Sequence, residues 1–152
     1  MRLVFGILGL CWVALQGIPA SANEYRIALN DIFARAESDP HLARTKFEID
    51  KPTDHTNDVD ALLAEVDRMA EVVTRMAHMP TKNPNAWDKM QALRAFIYEP
   101  GWWNDEKPFS YDLDDPYGEV ITNKLLHDYL HDKKGNCVSM PLLVLFLAER
   151  LD

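Results

Sequence analysis

A mainly α-helical fold is predicted for this 152-residue chain, and three observations predict it. Apolar residues recur at three- and four-residue spacing in several separate windows. Asp, Asn, Pro and Gly stand where helices start and stop. No stretch alternates with the period of two that a half-buried strand requires.

The spacing gives five helical segments. The first covers Glu24 to Ala36, with Tyr25, Ile27, Ala28, Ile32 and Phe33 apolar. The polar stretch Glu37 to Thr56 contains Pro40 and Pro52 and reads as a loop, or as a short strand around Phe47 and Ile49. A long helix follows over Val59 to His78, capped by Thr56 or Asn57. Leu62, Leu63, Val66, Met69, Ala70, Val73 and Met76 give it one apolar stripe. A third helix takes Asn83 as cap and Pro84 as first residue and ends at Tyr98 before Pro100-Gly101. A fourth takes Asp115 as cap and Pro116 as first residue, reaches His131 or Asp132, and buries Val120, Ile121, Leu125, Leu126, Tyr129 and Leu130. The last starts at Asn136 to Val138 and holds the run Leu142 to Ala148, which leaves almost no polar face. Such a helix is normally buried centrally, and it is too short to span a bilayer.

The N-terminus reads as an export signal. Met1-Arg2 is a short basic region, Leu3 to Leu15 an apolar run, and Ala20-Ser21-Ala22 a small-x-small cleavage site. Cleavage after Ala22 predicts a mature chain from Asn23, enough for one small domain. It removes Arg2 and no acidic residue, so the net charge moves from −8 to −9. An acidic chain without a basic cluster excludes nucleic acid and anionic lipid as natural partners. Cleavage also removes Cys11, which leaves Cys137 as the one thiol and no internal disulfide. A single thiol in an exported chain is either reactive or paired between molecules.

Cys137 is the leading candidate for chemistry. A lone cysteine is most often a small buried apolar residue. Against that, Gly135 allows a tight turn just before it, and Cys137 falls at a predicted helix N-terminus. Lys133 and Lys134 add nearby positive charge. A helix start and cationic neighbours both favour the thiolate, the nucleophilic form.

His127 and His131 lie four apart on one helix face, with Asp128 and Asp132 beside them. His131 is a conceivable base for Cys137. The pair also has the spacing of two zinc ligands, but no third ligand is specified, and solvated surface histidines are the simpler reading. Asp112-Leu113-Asp114-Asp115 fails the EF-hand pattern, since Pro116 and Tyr117 occupy its fifth and sixth places. Trp102, Trp103, Phe109, Tyr111 and Tyr117 read as an aromatic cluster pinning a loop rather than as a stacking platform. No cofactor or metal is expected.

Taken together, Trp103-Asn104-Asp105, Phe109-Ser110-Tyr111-Asp112, Asp114-Asp115-Pro116 and Asn123-Lys124-Leu125-Leu126 resemble the transglutaminase-like superfamily, in its bacterial transglutaminase-core branch. The similarity continues through Tyr129-Leu130, Lys134-Gly135-Asn136-Cys137-Val138-Ser139-Met140-Pro141 and Leu147 to Leu151, about 50 residues in all. The resemblance implies a papain-like α+β fold in which Cys137 attacks an amide carbonyl of a peptide or protein. In that family the triad histidine and aspartate follow the cysteine on strands, and this sequence stops at Asp152. The expectation is therefore the helical N-terminal half of the fold with its sheet missing. Residues 1–22 are the signal, 23–100 a helical region, and 101–152 the start of the transglutaminase-like core. As a truncated chain it is expected to be inactive, and to self-associate through the last helix. Two alternatives stand beside this reading: a non-catalytic exported helical binding module, and a redox-sensing thiol.

Overall fold

The computed structural model describes residues 22–54 and 56–151. The expected export signal and Cys11 therefore lie outside the described residues, save Ala22, where the first helix begins. Six α-helices make up most of the described chain: α1 Ala22–Ser38, α2 Leu42–Asp50, α3 Val59–His78, α4 Ala86–Tyr98, α5 Leu126–Asp132 and α6 Ser139–Glu149. A 3₁₀ turn spans Ile121–Lys124. Two short strands, β1 Ser110–Tyr111 and β2 Lys134–Gly135, pair in parallel with Ser110 opposite Lys134 and Tyr111 opposite Gly135. Mainly helical is the right class, and this two-residue ladder is the only sheet among the described residues.

The α3 helix is the spine. Leu62, Val66, Ala70, Val73, Met76 and Ala77 are buried along one side, and α2, α4 and α6 pack around it. The apolar stripe read from the sequence faces this core, with Leu63 and Met69 at its margin. Asp58, not Thr56 or Asn57, caps α3 by accepting the Ala61 N–H at 3.2 Å. Asn57 instead turns inward and donates to the Phe47 carbonyl at 3.1 Å, closing the end of α2.

That α2 exists is a correction to the loop or strand expected there. Ala43, Phe47 and Asp50 are its buried residues, spaced by four and three as one helical face requires. Phe47 meets Phe146 of α6 edge-on, with ring centroids 6.1 Å apart. The α4 helix starts two residues later than expected. Asn85 accepts from the Trp87 and Asp88 N–H groups while Asp88 accepts from the Asn85 N–H, a reciprocal capping box that Asn83 cannot form. At its other end Asn104 donates to the Phe96 and Glu99 carbonyls, and the Trp103 indole N–H points at Ala95 and Glu99. The Trp103-Asn104 pair thus satisfies carbonyls that a helix end leaves open.

The largest correction concerns residues 115–125, expected as helix. Asp115 does act as a cap-like acceptor, but for the Glu119 and Val120 N–H groups at 2.7 and 3.1 Å. Gly118 then takes φ +64°, outside helical space. Asn123 donates to both Asp112 and Asp115, which ties the segment into a loop. Helix resumes only at Leu126, so Val120 and Ile121 stay exposed rather than buried. No helix among the described residues is long and apolar enough to cross a membrane.

Candidate active site

Cys137 lies on the exposed turn that links β2 to α6. The turn is built by its neighbours. Asn136 is buried, and its side-chain oxygen accepts from the Val138 and Ser139 N–H groups at 2.9 and 3.3 Å. The Ser139 hydroxyl oxygen in return accepts from the Asn136 N–H at 3.0 Å, and the Asn136 carbonyl accepts from the Met140 N–H at 3.1 Å. This is a capping box with Asn136 as functional cap, which puts Cys137 in the first position after it. Pro141, one residue past Met140, has no N–H to give the Cys137 carbonyl. Neither the Cys137 sulfur nor its backbone N–H has a hydrogen-bond partner among the described residues.

The loop before α5 wraps this turn. Ser139 donates its hydroxyl proton to the Asn123 carbonyl at 3.0 Å, and the Asp112 N–H bonds the Gly135 carbonyl at 2.8 Å. Gly118 approaches the Asn136 side chain so closely that an added Cβ would stand 3.0 Å from it. Gly135 is needed for a different reason from the one expected. The left-handed residue of the turn is Lys133, φ +58°, while a Cβ on Gly135 would meet Ser139 Oγ at 2.3 Å and the Tyr129 ring at 2.5 Å.

The expected cationic neighbours point elsewhere. Lys133 donates to the Asn104 carbonyl at 2.7 Å and lies over the Phe109 ring. Lys134 pairs with Asp114 at 3.6 Å. Neither lysine is bonded to Cys137.

The histidines are likewise committed elsewhere. His127 is half-buried, not a free surface group, and its Nδ1 meets Asp54 at 2.7 Å. His131 Nδ1 meets Asp132 at 2.7 Å, a contact that raises the pKa of His131 above its ordinary value. His131 lines a cleft with Asp105, Lys107 and Ser110 that Cys137 does not border. Among the described residues no three His, Cys, Asp or Glu side chains stand together as a metal site. The aromatic cluster divides: Phe109 is buried against Tyr129 at 5.2 Å, Trp103 is half-buried, and Trp102 and Tyr117 are exposed. Burial pushes the Tyr129 hydroxyl well above the ordinary tyrosine range.

The Thr56 hydroxyl, more than His127, holds the Asp54 carboxyl below its ordinary 3.8. A depressed carboxyl contributes stability that is present above the unfolded value and lost as pH falls through the folded one. Melting temperature is therefore expected to decline as the pH drops below about 4, and Thr56→Ala to flatten that decline. Equal acid slopes for the two proteins would show that the contact does not contribute.

Asn136 and Ser139 are the site residues that motif reasoning missed, although Asn-x-x-Ser ahead of an apolar run carries the signal of a cap. What the fold and site define is a helical scaffold that presents one capped, exposed cysteine. The chain matches no family model, no curated protein and no solved structure.

Proposed function

We propose that this chain is an exported transglutaminase-like protein whose Cys137 attacks an amide carbonyl of a peptide or protein. The observation that carries the proposal is an exposed thiol one residue after a hydrogen-bonded cap, with its own N–H uncommitted. Sulfur supplies the electron pair of the new C–S bond, and the carbonyl pair moves to oxygen, where the Cys137 N–H is a donor of the kind that stabilises an oxyanion. Collapse expels an amine and leaves an acyl-thioester for water or a second amine to resolve. The leaving amine needs a proton, and no described histidine bonds the sulfur to supply it. Thiol attack and amide cleavage are thus separable: the chain by itself is expected to be acylated by an ester whose leaving group departs unprotonated, and not to cleave an amide. The papain-like placing of residues 101–152, a helical region over 23–100, and export with cleavage after Ala22 belong to the same proposal.

p-Nitrophenyl acetate tests it, because its leaving group departs without an acid. Mass spectrometry of the chain from Asn23 should find one acetyl group on Cys137 and none in Cys137→Ser. Iodoacetamide should alkylate Cys137 about tenfold faster in the folded chain than in urea. Equal rates in the two states would remove the nucleophile and leave the helical binding module.

A further inference from the structure

The loop that wraps the cysteine turn exposes more apolar surface than its supports require. Leu113 is 80% and Tyr117 88% accessible, with Val120 and Ile121 about half exposed. The loop does not owe this to slackness. Asp112 holds the Asp114 N–H at 3.0 Å, Asp115 holds two N–H groups and Asn123, and Tyr111 donates to the Pro116 carbonyl at 3.0 Å. Apolar side chains on a rigid, outward loop mark an interaction surface more often than a packing fault.

Charge says what the occupant is. Between positions 112 and 121 stand Asp112, Asp114, Asp115 and Glu119 and no lysine or arginine. The Glu119 carboxylate has no partner among the described residues, and Asp114 meets only the exposed Lys134. A second copy of the chain from Asn23 brings the same acidic loop and a net charge of −9, so like charges would face each other. A cationic segment brings the opposite sign.

We infer that this loop docks a peptide segment of another protein in which lysine or arginine alternates with aliphatic side chains. The apolar residues settle on Leu113, Tyr117, Val120 and Ile121, and the cations on Asp114 and Glu119. Asp112 and Asn123, at the two ends of the loop, bond Gly135 and Ser139, so the loop adjoins the cysteine turn. The inference deepens the proposed function by naming its substrate class, and it rests on that reading for its catalytic meaning.

Fluorescence polarisation with a short fluorescein-labelled peptide of lysine and leucine tests it, against equal-length peptides with glutamate or serine replacing lysine. The lysine peptide should bind about tenfold more tightly than the glutamate one, and added salt should narrow the gap. Asp114→Asn with Glu119→Gln should abolish the preference, and Leu113→Ser with Tyr117→Ser should weaken all binding. The same charge change on α1 and α3, Glu37→Gln with Glu71→Gln, should alter neither. These positions are exposed, and unchanged melting would show that each variant folds. Equal affinity for the three peptides, or equal loss in the α1 and α3 variant, would overturn the inference. So would a dimer in sedimentation that Leu113→Ser with Tyr117→Ser dissolves. Because Cys137→Ser should bind as the parent does, an inert thiol with intact peptide preference sinks the catalytic reading alone. A reactive thiol without preference sinks the docking alone.

Discussion

Replacing Asp50 by alanine is expected to destabilise the fold by about 3–5 kcal/mol, the largest effect of any single polar change. Asp50 is buried at the end of α2, where it pairs with Lys46 and accepts the Leu126 N–H at 3.2 Å. Lys46 is itself mostly covered and donates to the Lys124 carbonyl at 3.3 Å. Alanine leaves an uncompensated cation under the surface and an open N–H at the first residue of α5. Asp50→Asn keeps an acceptor for Leu126 and should lose less. Denaturant unfolding checks both, and a loss under about 1 kcal/mol would mean that the pair behaves as an exposed one.

Gly135→Ala is expected to cost about 3 kcal/mol and to disturb the cysteine turn together with the fold. Neither neighbour of the new methyl can yield cheaply. Ser139 Oγ is held between the Asn136 N–H and the Asn123 carbonyl, and the Tyr129 ring is locked against Phe109. Relief by moving Ser139 breaks the cap that places Cys137, so the folded variant should also lose its fast alkylation. A melting temperature and an alkylation rate both equal to the parent's would show that the close approach is not a constraint.

The parts legible in the sequence are those where one local rule acts alone. The α3 stripe announced its length and buried face because its apolar residues recur without interruption. The start of α6 was visible from the glycine and the apolar run. The α2 helix was hidden because its nine residues are too short for a clear apolar period, and Asp50 takes a buried position that only Lys46 and a distant N–H make tolerable. Residues 115–125 misled for the opposite reason. Asp-Pro is a sound helix start, but Asn123 and Gly118 divert the chain through contacts that no helical periodicity encodes. At the site, the position of Cys137 followed from sequence. The reach of Lys133 to the Asn104 carbonyl did not, because its partner stands 29 positions away.

The bond from Asp50 to Leu126 also predicts an order of assembly. Seven residues of α5 cannot hold a helix in water alone, and the cap that steadies it comes from 76 positions upstream. The α3–α4 hairpin needs only near neighbours and can form at once, whereas α5 must wait until α2 has docked and a long loop has closed. Asn123, Gly135 and Ser139 converge after that. The turn around Cys137 is therefore expected to gain hydrogen-exchange protection after α3 and α4, which pulse labelling of the Val138 and Ser139 N–H groups would show.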